Sequence, residues 1–431
     1  MPAIQEFLRF VRSAPTAFHA AHSVLETLCA NGYTRICEEQ PFSLLPGGKY
    51  CFLRGDSAAV AFQIPERRFT HFQIVASHAD SPVFKVKGLQ ETESCSLLRL
   101  PTEEYGGMIR YSWLDRPLSI AGRVYVRTAS GLSSRLVNLD RDSALIPSMP
   151  IHLNRDMNKG IELNPQTDLY PLVGASQDRG WIRAAVAEAA GCECSDLVAG
   201  DLFLYNRTPG SIWGPDSAYF SCPRIDDLEC AFASLSAFMH AAPPEGHVNL
   251  FVLFDNEEVG SGSPQGADSD MLTAVIRRIC LAFGVQAEPA VARSFLISAD
   301  NAHASHPAHP EKYDDLFRCF MNSGIVVKHS APLRYTTDAE SDAIFSQILH
   351  RCRIPVQHFW NRSDMPGGST LGHIAVAHTS VRCIDIGLAQ LAMHSSYETA
   401  GVFDLDYLIQ ALTSYYETDI RFAGPGEIHF E

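Results

Sequence analysis

The chain has 431 residues, a formal net charge of −15, 46% hydrophobic and 19% charged residues, and 12 cysteines, which describes an acidic soluble protein of two domains or of one large domain with an insertion. Lysine and arginine are interspersed among the acids with no basic block, which excludes a non-specific nucleic-acid binder. No apolar run reaches the roughly 18 residues of a membrane span, the N-terminus carries no secretory signal, and the scattered cysteines point to buried thiols in a reducing cytoplasm rather than to a zinc ribbon or a disulfide framework.

Ile4, Phe7, Leu8 and Val11 recur at helical spacing, and after Ser13-Ala-Pro-Thr16 a second helical pattern runs from Ala17 to Ala30 and stops at Asn31-Gly32. Short strand-like segments follow at 50–53 and 58–64. Residues 72–77 form the next apolar strand, which ends in His78-Ala-Asp80-Ser-Pro82. An imidazole placed there can ligate a metal while the nearby carboxylate fixes its tautomer; taken singly, His78 also reads as a turn residue. From about Lys85 the texture changes to short strand-like pieces, glycines and turns with few long helical periods, so residues 86–218 read as an inserted β-rich domain. His152, within Leu145-Ile-Pro-Ser-Met-Pro-Ile-His152, reads by itself as a surface loop histidine.

Pro223-Arg-Ile-Asp226-Asp227 opens a helical stretch over 228–239, where the two acids suit the helix dipole. The chain then reaches Val248-Asn-Leu-Phe-Val-Leu-Phe-Asp-Asn-Glu-Glu-Val-Gly-Ser-Gly262, bounded upstream by Pro243, Pro244 and Gly246. Its apolar run reads as an interior strand covered on both faces. The C-terminal ends of such strands are where α/β sheets place their sites, and here they carry Asp255, Glu257 and Glu258. Adjacent carboxylates repel: partly buried, they stay ionised only near a cation, or one of them holds a proton. One Glu can then bind metal while the other acts as general base.

A helix at 271–283 precedes the strand Ser294-Phe-Leu-Ile-Ser-Ala-Asp300, which again ends in a carboxylate, with His303 close behind. The strand at 324–328 carries Lys328 at its end, where a surface lysine is the plain reading. A helix over 342–352, a strand over 355–360, the glycine-rich stretch 364–372 with His373 beyond it, a strand over 381–386 and Met393-His394-Ser-Ser-Tyr-Glu398 complete the alternation. That order implies an α/β sandwich around a mixed sheet, built from residues 1–85 and 219–431. His78, Asp226, Glu257, Glu258, Asp300 and His394 all lie at strand ends or helix starts. Such a set suits a pair of divalent cations, zinc first, with cobalt or manganese as substitutes.

His78-x-Asp80-Ser-Pro82, Asp255-Asn-Glu-Glu-Val-Gly-Ser261, Ser298-Ala-Asp300-x-Ala-His303 and Leu391-Ala-Met-His394-Ser, in that order, resemble the M18 aspartyl aminopeptidase family. Phe18-His-Ala20, Gly47-Gly-Lys-Tyr50, Glu104-Tyr-Gly-Gly107, Trp113-Leu-Asp-Arg-Pro-Leu118, Ala121-Gly-Arg-Val124 and Ile151-His-Leu153 extend the resemblance over nearly the whole chain. It implies that Asp226 bridges two zinc ions, that His78 and Asp300 complete one and Glu258 and His394 the other, and that Asp80 stands behind His78. Glu257 would be the general base acting on a water held between the two metals, and the reaction would be removal of an N-terminal Asp or Glu from a peptide with a free N-terminus. Lys328 matches a lysine near the pocket for the acidic side chain. The insertion would build dimers that assemble into a tetrahedral dodecamer, with His152 reaching a neighbour's site.

Two departures stand out. Ala79 occupies a position where threonine is usual, and Asp227 replaces the usual asparagine, so Asp227 rather than Asp226 remains open as the bridging ligand. A cis bond between the two is expected from related enzymes. The alternatives are a di-metal aminopeptidase or deacylase with another substrate preference, and a scaffold without turnover.

Overall fold

A computed structural model describes residues 3–242, 245–424 and 426–431; Pro243 and Pro244 lie outside the described residues. The apolar run after Gly246 forms a strand, His247–Phe254, in which every residue is buried. Its pleat sends Val248, Leu250, Val252 and Phe254 into one core and Phe251 and Leu253 into another. A strand with two apolar faces must lie inside a two-sided layer, and this one does.

The sheet around it comprises β1 (Thr34–Arg35), β2 (Lys49–Arg54), β3 (Ala58–Gln63), β4 (His71–His78), β5 (His247–Phe254), β6 (Phe295–Ala299), β7 (Ile325–His329), β8 (Val356–Trp360) and β9 (Arg382–Gly387). They stand in the order β1-β2-β3-β5-β4-β6-β9-β7-β8. β4 and β5 are parallel, with His71 opposite His247 and His78 opposite Phe254; β6 runs parallel to β4, while β3 is antiparallel to β5 and β7 to β9. The sheet is therefore mixed, as the alternation of elements implied.

The helices are α1 (Ala3–Ser13), α2 (Ala17–Ala30), α3 (Trp181–Ala190), α4 (Ile225–His240), α5 (Met271–Phe283), α6 (Ala287–Ala292), α7 (Ala339–Cys352), α8 (Leu371–Thr379) and α9 (Val402–Glu417). α1, α2, α4, α7 and α9 pack on one face of the sheet and α5, α6 and α8 on the other. The bounds of α2 and α5 are those the sequence pattern gives. α9 was not anticipated, although Leu405, Leu408, Leu412 and Tyr415 supply its buried stripe. None of the described helices is long and apolar enough to cross a membrane. The cysteines are free thiols; six are buried, while Cys29, Cys37, Cys95 and Cys194 are exposed.

A second lobe has its own core around Phe84, Trp113, Ile120, Val126 and Val186. It holds a five-stranded sheet, in spatial order Gly131–Asn138, Leu118–Thr128, Leu197–Asn206, Val83–Val86 and Thr102–Tyr105, and a three-stranded one. α3 packs here through Ile182 and Val186, a helix that the turn-rich texture hid. The strand Ser211–Trp213, inside the span expected for the insertion, pairs instead with Tyr219–Cys222.

Candidate active site

Five short strands form a further sheet, ordered Ser211–Trp213, Tyr219–Cys222, Glu398–Gly401, Ala389–Leu391 and Ala302–His303. It gathers three distant stretches of chain. Tyr219–Cys222 leads into Asp226, Ala302 follows Asp300, and the hairpin from Ala389 to Gly401 carries His394 at its turn. The main sheet supplies the rest, since β4 ends in His78 and β5 runs into Asp255, Glu257 and Glu258.

The ligand atoms of His78, Asp226, Asp227 and Asp300 lie within 4.8 Å of one another, and those of Asp226, Glu258 and His394 form a second such group. Asp226 is common to both. Its Oδ1 is 3.4 Å from His78 Nε2 and its Oδ2 is 3.3 Å from His394 Nε2, which in turn lies 3.4 Å from Glu258 Oε2. Both imidazoles are oriented by their other nitrogen: His78 Nδ1–H donates to the main-chain oxygen of Asp80 (3.0 Å) and His394 Nδ1–H to that of Gly107 (2.8 Å). That turns each ring so that Nε2 faces the carboxylates and, in the neutral form, offers its lone pair as a ligand. Asp227 spends Oδ2 on the His78 N–H (3.1 Å), and the Asp226–Asp227 peptide bond is cis, as expected.

Asp80 lies behind His78, its Oδ1 3.4 Å from Nδ1, but its carboxylate does more than that. Oδ1 accepts the Glu257 N–H and Oδ2 the Glu258 N–H, both at 3.1 Å, while the Tyr105 hydroxyl donates to Oδ2 at 2.7 Å. One carboxylate thus holds the turn of the Glu pair against the end of β4. The turn begins at Asn256 in the left-handed region (φ 62), a conformation that asparagine tolerates better than most residues. Gly106 has φ 78, and a Cβ there would stand 3.1 Å from Glu258 Cβ, which explains a glycine at that point of Glu104-Tyr-Gly-Gly107.

The electrostatics follow from many acids sharing one buried volume. Burial pushes Glu257 up to about 8, with Asp300, Asp80 and Asp226 adding to the rise, and it raises Glu258 and Asp300 as well. Burial alone would lower His394, but Asp226 and Glu258 outweigh it and lift the imidazole to about 10. Asp226 is held below its ordinary value by the two imidazoles against the cost of burial. Oδ1 of Asp226 and Oε1 of Glu258 are buried without a hydrogen-bond partner. Orphaned carboxylate oxygens at this density call for added positive charge, and an all-oxygen-and-imidazole donor set suits zinc.

Lys328 is not a surface lysine. It is 3% exposed and lines the same cavity, with Nζ 3.6 Å from Asp300 Oδ1 and 5.6 Å from the centre of the Tyr335 ring. Burial works against its charge, yet Asp300, Tyr335 and Asp385 keep its pKa above the ordinary lysine value. His303 also lines the cavity, and His373 turns its Nδ1 to the Thr370 carbonyl (2.7 Å). His152 is exposed on its loop and is not among the residues lining the cavity.

Sequence reasoning missed Glu398. It is 1% exposed; Oε2 accepts the N–H groups of Ile225 (2.6 Å) and Asp226 (3.2 Å), and Oε1 accepts that of His394 (2.8 Å). A single buried acid therefore positions two side chains of the donor cluster. Its sequence context, Ser-Ser-Tyr-Glu, gives no signal of that; only the pairing of Cys222 with Glu398 brings them together.

A profile described as "Aminopeptidase I zinc metalloprotease (M18)" matches residues 10–416. The "Probable M18 family aminopeptidase 2" of Clostridium acetobutylicum is 40% identical over 424 residues, covering 96% of this chain and 98% of that protein. A chain of the Ape4–Nbr1 complex solved by cryo-EM superposes with a TM-score of 0.93 at 30% identity, over 96% of this chain and 85% of the other. The S. cerevisiae mApe1 dodecamer gives 0.83 at 26% identity, over 96% and 95%. With the family profile spanning nearly all of the chain and its N- and O-donor residues gathered in one cavity, this protein belongs to the M18 family of zinc aminopeptidases.

Proposed function

We propose that this M18 aminopeptidase removes N-terminal Asp or Glu from peptides, with two zinc ions per subunit. The observation that carries the reading is Asp226, whose two oxygens face two separate groups of donors. His78 and Asp300 with Oδ1 would hold one ion, and Glu258 and His394 with Oδ2 the other. Asp227 enters only the first group and already accepts the His78 N–H, which favours Asp226 as the bridge. Zinc held there supplies Lewis acidity toward the scissile carbonyl and makes an attacking water available near neutral pH. Glu257, fixed by Asp80 but free of any ligand role, takes the water's proton and passes it to the leaving amine. The acidic lining suits the cationic α-amino group of a free N-terminus. Lys328, a buried cation in the same cavity, would pair with the substrate's side-chain carboxylate.

The assembly belongs to the same proposal. The second lobe would build dimers and these a dodecamer in the cytoplasm, as the S. cerevisiae mApe1 relative is a dodecamer. Met149, Ile151 and Leu153 around His152 are exposed at 53%, 45% and 77%, an apolar loop of the kind that interfaces cover. His152 would act from a neighbouring subunit.

The test is hydrolysis of chromogenic amides of Asp, Glu, Ala, Leu and Lys, before and after chelation and zinc restoration. Asp and Glu amides should be preferred, chelation should abolish turnover and zinc restore it, and Glu257→Gln should lower kcat about 10²- to 10⁴-fold. Lys328→Met should depress acidic amides while sparing neutral ones. An equal loss on both removes Lys328 from the specificity pocket, and preference for Leu or Lys amides overturns the substrate assignment.

A further inference from the structure

At the opposite ends of β4 and β5 lies a second gathering of donors. His71 opens β4, His247 opens β5 directly across from it, and Asp419 follows α9 at the start of the C-terminal hairpin Ile420–Gly424 and Glu427–Phe430. The three are 2%, 1% and 7% exposed. Their facing atoms, His71 Nε2, His247 Nδ1 and Asp419 Oδ1, are each buried and without a hydrogen-bond partner.

The remaining polar atoms of these side chains are all engaged, which decides what the facing atoms offer. His247 Nε2 lies 3.0 Å from the Tyr416 carbonyl, which can only accept, so Nε2 carries the proton and Nδ1 presents a lone pair. His71 Nδ1 lies 3.0 Å from the Thr70 hydroxyl, which can take its proton and leave Nε2 bare. Asp419 Oδ2 accepts the Nε–H of Arg421 at 2.8 Å and lies 2.7 Å from its Nη2, leaving Oδ1 turned inward. With His71 in that tautomer, three acceptors converge with no donor among them. Asp419 Oδ1 is 3.3 Å from His71 Nε2 and 3.8 Å from His247 Nδ1. Donors about 2.0–2.1 Å from a tetrahedral zinc stand roughly 3.3 Å apart, and the first cluster of this chain shows separations of 3.3 to 3.4 Å.

We propose that His71, His247 and Asp419 bind a third divalent cation, of zinc type, whose role is structural. β4 would then carry a metal-facing histidine at each end, His71 and His78, roughly 23 Å apart at about 3.3 Å per residue. The ion would fasten the C-terminal hairpin to the entry of the two central strands. The open coordination position is left for water, as three protein ligands allow.

The experiment is zinc content per chain by mass spectrometry, on full-length protein purified without chelator and dialysed against micromolar zinc. Three ions are expected in the unmodified chain, two in His71→Gln with hydrolytic activity retained, and one in a double variant Asp226→Asn, His394→Gln, which the further change His71→Gln should remove. Zinc should raise the melting temperature of that double variant. A double variant that holds no zinc, or a His71→Gln chain with the same content as the unmodified one, overturns the third site and leaves His71 and Asp419 as a neutral imidazole beside a carboxylate. A double variant that retains one ion and loses it when His71→Gln is added, while the unmodified chain holds two, keeps the third site and overturns the two-metal reading of the catalytic centre. Should the double variant fail to fold, cobalt titration of His71→Gln against the unmodified chain decides: one equivalent fewer supports the site, and equal binding overturns it.

Discussion

Glu257 differs from the carboxylates around it because its backbone is tied down while its side chain has no assigned ligand role. Asp80 holds the N–H groups of both Glu257 and Glu258, so the two acids point from one clamped turn into one cavity with different tasks. As the proposed base, Glu257 would work only when ionised. Its pKa is raised by burial first, to about 8, and nearby cations lower it again; activity is present above that folded pKa and is lost as pH falls through it. The expected pH profile of kcat/KM, measured at saturating zinc, has an acidic limb above the ordinary carboxylate range, and Glu257→Gln should remove that limb along with most of the rate. A limb unchanged in the variant would assign the titration to another group. The residues that ended strands in the sequence, His78, Glu257, Glu258 and Asp300, were legible because a short apolar run followed by acid or imidazole has few other uses. Lys328 was legible only as a strand end: its burial depends on Tyr335 and Asp300, which arrive from other elements.

At the scale of elements, the main sheet could be read from the sequence and the small sheet could not. Strands such as β4 and β5 announce themselves by continuous apolar runs. Ala302–His303 and Ala389–Leu391 have two and three residues and no period to detect, yet they bring Asp300 and His394 to Asp226. α9 escaped notice for another reason: Tyr415 and Tyr416 are buried through hydroxyls that bond backbone, Tyr415 to the Phe295 carbonyl at 2.7 Å and Tyr416 to that of Leu250 at 3.2 Å, so a polar-looking helix end is core. Glu398 is where the small sheet meets the site. Glu398→Gln keeps one acceptor oxygen for three N–H groups and turns an amide toward them, and should cost about 1–3 kcal/mol of stability and about 10- to 100-fold in zinc affinity. Thermal unfolding and a zinc titration would check both; a variant matching the unmodified chain in each would show that the three N–H groups find other acceptors.

For the whole molecule, the decisive question is whether one subunit is enough. His152 stands exposed among apolar neighbours on the second lobe and outside the cavity of its own chain. If it serves a neighbour, His152→Ala should leave zinc content and the monomer fold unchanged while lowering kcat in the assembled protein. Dilution that dissociates the unmodified assembly should reduce specific activity toward the level of the variant. Equal activity of dissociated and assembled protein would remove His152 from the reaction. The change in texture near residue 85 falls where the chain leaves the main sheet and enters Val83–Val86, a strand of the lobe with its own core. α3 was hidden by the glycines and turns around it.

The gathering of the site by Glu398 also has a meaning in time. The chain is made from its N-terminus, and His78, Asp226, Glu257 and Asp300 all emerge before His394 and the acid that anchors both it and Asp226. A ribosome-bound chain therefore carries most of a peptidase without the piece that sets two of its metal-facing side chains. The contacts that set Asp226 and His394 together are completed only once residue 398 has been added.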